Sequence, residues 1–277
     1  MLIHEALLNS QKKLHSAGIT AAKHESRLVC AYVYGVQPSQ LPLYLRQSID
    51  EAHLANLLER RIAGEPLQYI LGEAGFMSLV FYVGPEVLIP RPDTEVLVEK
   101  AIKLLEQNKT PAIADIGLGS GAIAVSLAHY LPQATLYGVD ISLGALQWAK
   151  KNANLHQVGE RCHFYEGDLL APLSALNLRF DLIISNPPYI SKTEMGLLPQ
   201  DVRQEPTIAL YGGVDGLDFY RRLARGAKQL LKAGGWLLLE HGAGQQYQVE
   251  LLLKQEGWQV VQALSDYGDR DRGILAH

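Results

Sequence analysis

Ala112-Ile113-Ala114-Asp115-Ile116-Gly117-Leu118-Gly119-Ser120-Gly121 is an apolar, β-type run that ends in a glycine-rich turn and opens onto a helical segment, Ile123–Tyr130. Glycines let a backbone come close to a ligand, and a helix N-terminus adds a favourable dipole. The alternation continues downstream. Thr135–Val139 reads as a strand, Leu143–Asn154 as a helix, and Cys162–Tyr165 and Leu182–Ser185 as strands. A helix near 215–232, a strand over Trp236–Glu240, a helix near 245–256 and terminal strands near 258–264 and 271–276 follow. Strand–helix alternation predicts an α/β fold, with a parallel sheet covered by helices on both faces. No long helix separates the last two strands, so one of them should be antiparallel.

Each strand end carries a candidate ligand group. Asp140 closes the second strand, where a carboxylate can bind both ribose hydroxyls of a nucleoside. Gly167-Asp168-Leu169 follows the third; Asp168 can accept from an adenine amino group while Leu169 packs on the ring. The fourth, Phe180-Asp181-Leu182-Ile183-Ile184-Ser185, ends in Asn186-Pro187-Pro188-Tyr189. Proline has no N–H, so this turn is rich in acceptors, and Asn186 adds a side-chain carbonyl. Such an acceptor pair suits a planar NH2 group with two hydrogens to donate. Tyr189 can cover that group or face a cation. The plainer reading is a turn, which Asn-Pro and Pro-Pro both mark.

Gly117, Gly119 and Ala122 also fit the permissive dinucleotide fingerprint, so a nicotinamide cofactor is a rival. The ordered series of glycine loop, acid after the second strand and Asp after the third favours S-adenosylmethionine. Its candidate binding residues are Gly117, Leu118, Gly119, Ser120, Gly121, Asp140, Asp168, Leu169 and Asn186. Asn-Pro-Pro-Tyr completes the set, and nothing in nicotinamide chemistry calls for it.

The chain of 277 residues is 48% hydrophobic and 19% charged, with net charge −4 and pI about 6.1. That balance argues against a broad basic footprint for duplex nucleic acid. Cys30 and Cys162 lie far apart and the nine histidines are scattered, so no metal site is expected. No apolar run approaches the roughly 18 residues that span a bilayer. Residues 1–16 lack a signal-peptide core, and a cytoplasmic location is expected.

Ahead of the α/β region, residues 1–66 read as a helical domain. Leu7, Leu8, Leu14, Leu28, Val29, Tyr32 and Val33 recur at helical spacing. Asp50 reads as the N-cap of a helix carrying Leu54, Leu57, Leu58 and Ile62, stopped by Gly64-Glu65-Pro66. Residues 67–85 read as a hairpin linker, and 86–277 as the catalytic domain.

Several further segments are more specific than the glycine loop. They are Leu88-Ile89-Pro90-Arg91-Pro92-Asp93-Thr94-Glu95, Glu205-Pro206 with Ala209-Leu210-Tyr211-Gly212-Gly213, Asp215-Gly216-Leu217-Asp218-Phe219-Tyr220-Arg221 and Leu239-Glu240-His241-Gly242. With Asp115–Gly121 and Asn186–Tyr189, they make nearly the whole chain resemble the peptide chain release factor glutamine methyltransferases of the HemK/PrmC type. Leu118 departs from a small polar residue common there, and Leu169 from a tryptophan in some relatives; altered affinity is the expected consequence. The resemblance implies a class I, Rossmann-like methyltransferase with a mostly parallel seven-stranded sheet and a small helical N-terminal domain that recognises substrate. It implies methylation of the side-chain nitrogen (N5) of the glutamine in the Gly-Gly-Gln motif of class I release factors. No direct nucleic-acid or membrane partner is expected.

Asn186 and Pro187 are then the expected catalytic pair, accepting the two amide hydrogens, with Pro188 and Tyr189 beside them on the substrate. Other readings stay open. Arg91 and Glu95 line the mouth of the site or form a surface pair. Phe76 walls the cofactor pocket or belongs to a hairpin core. Asp266, Asp269, Arg270, Asp271 and Arg272 read as a solvated, ion-paired turn, and His241 as a satisfied structural histidine. Rival functions are a nucleic-acid exocyclic-amine methyltransferase, a nicotinamide-dependent oxidoreductase and a non-catalytic binding module.

Overall fold

The computed structural model describes residues 1–277, which divide into two units. The first comprises Met1–Gly72 with Pro199–Gln204. It holds α1 (Ile3–Ser16), α2 (Ala22–Tyr34), α3 (Glu51–Ile62) and α4 (Leu67–Leu71). The Asp50 side chain caps α3 by accepting from the His53 N–H at 3.0 Å. Ile3, Ala6 and Leu14 of α1, Val29 and Cys30 of α2, and Leu54, Leu57 and Leu58 of α3 share one core. Leu8 and Tyr32, expected on the apolar faces, are exposed, because Ala6, Ser10 and Cys30 take the buried positions beside them. Arg61 pairs with the largely buried Glu25 at 2.7 Å and reaches Asp201 at 3.7 Å, while Gln200 donates to the Ala63 carbonyl at 3.0 Å. These contacts fasten Pro199–Gln204 into this unit.

The hairpin is shorter than expected. Leu67–Leu71 is helical, and the strands are β1 (Glu73–Phe76) and β2 (Leu79–Tyr82). Phe76 and Phe81 meet edge to face at 6.1 Å and are buried in the core of the second unit, to which the hairpin belongs.

The second unit comprises Glu73–Leu198 and Glu205–His277. After α5 (Glu95–Leu105) it runs β3 (Ala112–Ile116), α6 (Ala122–Tyr130), β4 (Thr135–Asp140), α7 (Leu143–Leu155), β5 (Cys162–Glu166), α8 (Ala171–Ser174) and β6 (Phe180–Ser185). Then come α9 (Lys192–Met195), α10 (Thr207–Leu210), α11 (Asp218–Gly226), β7 (Leu231–Glu240), α12 (Gln246–Gln255), β8 (Val260–Ser265) and β9 (Asp271–Ala276). The sheet order is β5-β4-β3-β6-β7-β9-β8. β3 to β7 pair in parallel, and β9 is antiparallel to both of its neighbours, as the missing crossover helix required. Ile113 and Leu136 face a core built with α5 and α6; Ile116, Ile183 and Leu237 face one built with α11 and α12. The seven-stranded, helix-covered sheet is the expected fold. From the adjacent β3 and β6 the chain continues toward opposite sheet edges, which leaves a crevice at their C-terminal ends.

Candidate active site

A cavity of about 320 Å3 opens in that crevice, lined by residues that follow β3, β4, β5 and β6. Gly117 and Leu118 both donate to the Val139 carbonyl, at 2.9 and 3.0 Å, so the turn after β3 is laid across the end of β4. Gly121 then starts α6 at φ 80°, and a Cβ there would sit 3.0 Å from the Ala149 Cβ. Only glycine combines that backbone with that approach. The Asp140 carboxylate accepts from Gly119 N–H at 2.8 Å with one oxygen and from Ser142 N–H at 2.9 Å with the other. Its remaining lone pairs are available on the cavity wall. Burial raises its pKa, opposed by these backbone donors.

Asp115 lies one step deeper. It is fully buried, accepts from Ala124 N–H at 3.1 Å, and has an unpartnered Oδ1. Burial holds its pKa well above the usual carboxylate range. After β5, Gly167, Asp168 and Leu169 all reach the wall, and Arg222 of α11 donates to Asp168 at 2.5 Å.

Asn186, Pro187 and Pro188 form the wall beyond β6. Ser185 ties this end to β3, its hydroxyl donating to the Ile116 carbonyl at 2.6 Å. The turn is clamped from the far side. Ile190 N–H donates to Leu210 O and Gly212 N–H to Ile190 O, both at 2.9 Å, and Gln245 donates to the Tyr189 carbonyl at 3.0 Å. Gly212 passes so close that a Cβ would stand 2.6 Å from the Pro188 carbonyl oxygen. Buried Glu205 accepts from Ile89 N–H at 2.9 Å and pairs with Arg91, which lines the cavity. Arg91 therefore belongs to the wall, whereas Glu95 accepts from Met77 N–H at 2.7 Å and anchors the hairpin. Phe76 serves in both ways considered for it, as buried core and as cavity wall.

Known proteins match this arrangement. The PrmC N-terminal domain family matches residues 5–72, and the Methyltransferase small domain family matches residues 93–200. A release factor glutamine methyltransferase from Moorella thermoacetica is 43% identical, over 100% of this chain and 99% of its own length. One from Geobacter sulfurreducens is 44% identical, over 84% of this chain and 81% of its own. This chain belongs to the release factor glutamine methyltransferase family. A crystallised methyltransferase from Pyrococcus furiosus, 15% identical, shares the fold with a TM-score of 0.53 over 80% of this chain and 98% of its own. The resemblance read from the motifs is borne out, and the chain is an S-adenosylmethionine-dependent methyltransferase.

The cavity of this methyltransferase suits that methyl donor in size and chemistry. Its volume lies within the range of small-molecule sites, and its wall is mostly apolar with a few convergent polar groups. The Asp140 carboxylate is fixed by two amides with acceptor capacity left over, as a vicinal diol requires.

Some expected residues stand elsewhere. Tyr189 is not part of the cavity wall: its ring lies 3.1 Å from the position of a Cβ on Gly242 and packs on the core beside β7. Burial pushes its hydroxyl up to about 12. The expected solvated turn is instead partly internal. Arg272 and Asp266 are buried and paired at 3.1 Å, and Arg272 also reaches Asp93 at 3.0 Å. His241 is fully buried; its Nδ1 lies 2.9 Å from the Gly242 carbonyl but its Nε2 has no partner, so it is not fully satisfied. Burial pushes the Cys30 thiol up to about 11 and Cys162 to about 12, consistent with inert packing residues.

Two residues of the site carried no role in the sequence. The Asn186 Nδ2 donates to Thr94 Oγ1 at 3.1 Å, and the Thr94 hydroxyl meets the carboxyl of Glu240. A signal for Glu240 existed: it closes the apolar run Trp236–Leu239, and an acid carried into the interior there needs partners.

Proposed function

We propose that this protein methylates the side-chain amide nitrogen (N5) of the glutamine in the Gly-Gly-Gln motif of class I peptide chain release factors, in the cytoplasm. The observation that carries the reading is that Asn186, Pro187 and Pro188 share one cavity wall with Asp140 and the glycine loop. Amide acceptors and a nucleoside-type site thus stand side by side. The names of the full-length relatives support the choice of substrate.

When bound, S-adenosylmethionine supplies an electrophilic methyl group on a sulfonium. Asp140 is the residue for its ribose hydroxyls, Gly117–Gly121 for close backbone approach, and Asp168 and Leu169 for the adenine. An amide nitrogen is a poor nucleophile because its lone pair is shared with the carbonyl. The Asn186 side-chain oxygen and the Pro187 carbonyl are assigned to accept the two amide hydrogens. Holding both hydrogens orients the nitrogen and favours a pyramidal geometry, so the contribution of these residues is proximity and alignment. Pro188 completes the turn. Tyr189, assigned to the substrate side of the turn, is partly buried against the core behind it. We assign the helical unit Met1–Gly72 to recognition of the release factor, because every cofactor-type residue lies outside it. No helix is long and apolar enough to cross a membrane, and we assign no membrane or nucleic-acid partner.

The test is incubation with labelled S-adenosylmethionine and a purified release factor, with the label located by mass spectrometry. One methyl group on the Gly-Gly-Gln glutamine is expected. Label on an added RNA or DNA, with none on the release factor, would overturn the reading and favour an exocyclic-amine methyltransferase.

A further inference from the structure

We propose that Thr94 and Glu240 are positioning residues that decide which end of the Asn186 amide faces the substrate. This rests on the function proposed above. An asparagine amide has two ends of nearly equal shape, one accepting and one donating. Only the accepting end can receive a substrate NH2; the flipped amide presents donor to donor. Something must therefore choose the rotamer.

The choice follows from counting protons along one chain of contacts. Asn186 stands on the cavity wall, and Thr94, which is buried, touches it at 3.1 Å. Thr94 has a single O–H hydrogen, and its hydroxyl favours the charged form of the buried Glu240 carboxyl by hydrogen bonding to it. An ionised carboxylate accepts only. The Thr94 hydrogen therefore goes to Glu240, and the Thr94 oxygen is left to Asn186 as an acceptor. The end of Asn186 that faces Thr94 must then be NH2, which turns Oδ1 away from Thr94 as the end left for substrate. The backbone of Glu240 is fixed at the end of β7, where Tyr220 donates its hydroxyl to the Glu240 main-chain carbonyl at 3.0 Å, while the carboxyl Oε2 has no partner.

The device works only while Glu240 is ionised. The charged and titratable groups around it are Arg91 and Asp93 ahead of α5, Tyr189 after β6, Tyr220 on α11, adjacent His241, and Arg272 on β9. Burial, opposed by Thr94 and Arg272, pushes the Glu240 carboxyl up to about 7. As pH falls through that value the carboxyl gains a hydrogen to donate. The Thr94 hydrogen is then free to turn toward Asn186, and the preference for one rotamer is lost.

The experiment compares the parent protein with Thr94→Val, Thr94→Ser and Glu240→Gln. It measures kcat on a purified release factor against pH, S-adenosylmethionine affinity by calorimetry, and water exchange of the Asn186 side-chain NH2 by 15N NMR. Thr94→Val, nearly isosteric, should lower kcat about tenfold or more at pH 8, the size of one hydrogen bond expressed in the barrier. Cofactor affinity should stay near the parent value, and the Asn186 NH2 should exchange faster. Thr94→Ser, which keeps the hydroxyl, should recover most of both losses. The parent should lose kcat on the acid side of about pH 7; Glu240→Gln should lack that limb and be slow throughout. Parent-like kcat and NH2 exchange in Thr94→Val overturn the proposal. So does a Thr94→Ser as poor as Thr94→Val, because packing and not the hydroxyl would then matter. If the parent does not methylate release factors, the functional reading fails by itself, while the NH2 exchange still decides the role of Thr94.

Discussion

Asn186 and Asp140 both line the cavity but are assigned to different ligands, the substrate amide and the cofactor ribose, and single substitutions should separate them. Asn186→Ala removes one of two acceptors from a desolvated site. Loss of such a preorganised group costs about 3–4 kcal/mol, or roughly 100- to 1000-fold in kcat. Cofactor affinity, measured by titration calorimetry, should barely change. Asp140→Ala should show the reverse emphasis, weakening S-adenosylmethionine binding by a few kcal/mol because a diol loses a charged double acceptor. Unchanged affinity would remove Asp140 from the ribose. Glu240 has a signature in stability as well. Its native carboxyl titrates near 7, above the ordinary 4.5 of an unfolded chain. Between those values the native state binds more protons than the unfolded one, so the contribution of Glu240 to stability falls as pH rises. Glutamine does not titrate. Urea unfolding of Glu240→Gln and parent should therefore diverge in favour of glutamine from pH 5 to pH 8; a pH-independent difference would contradict the raised pKa.

At the level of elements, the site is a set of strand ends held by loops that are themselves tied down. The turn after β3 leans on β4 through Val139, and the turn after β6 is clamped through Ile190 and Gln245. The approach to α5 is held by Glu205 through Ile89 and Arg91. Gly121→Ala tests the first of these. A left-handed backbone costs a non-glycine residue about 1–2 kcal/mol, and the close approach to Ala149 adds to it. Chemical denaturation should report at least that loss, with weakened cofactor binding because α6 must shift. Glu205→Gln keeps the shape but neutralises the partner of Arg91. It should loosen Ile89–Arg91 and raise KM for the release factor more than it alters cofactor affinity; equal effects on both would contradict a role confined to that loop.

For the whole molecule, we assign recognition to the helical unit and chemistry to the sheet unit. All residues of the cavity wall lie in Glu73–Leu198 and Glu205–His277. A chain beginning at Glu73 should therefore bind S-adenosylmethionine with near-normal affinity, yet methylate an intact release factor poorly. Methylation of a short Gly-Gly-Gln peptide should suffer much less. Equal loss on peptide and whole protein would refute a recognition role for the first unit. Because Pro199–Gln204 packs with that unit, replacing it by a glycine-serine linker in the shortened chain avoids leaving its contacts unsatisfied.

The alternation of strands and helices, the glycine turn, Asp140, Asp168 and Asn186–Pro188 were all legible in the sequence. Each depends on short-range rules: side-chain period, the absence of a proline N–H, the backbone freedom of glycine, and the position of a residue at a strand end. Local rules could not pair Thr94 with Glu240, Glu205 with Ile89 and Arg91, or Arg272 with Asp93. Glu205 is more than a hundred residues from Ile89, and Thr94 still farther from Glu240, so only the sheet order, which sets β7 beside β6 and β9 beside β7, brings such groups together. The same limit applies to Tyr189, whose side chain is assigned to the glutamine from its place in the motif and which is also partly buried against the core beside β7. Burial was equally out of reach for Asp266 and Arg272. Their charged, glycine-containing segment reads as solvated, and it is the ion pair with Asp93 on a distant loop that makes an internal position tolerable for Arg272.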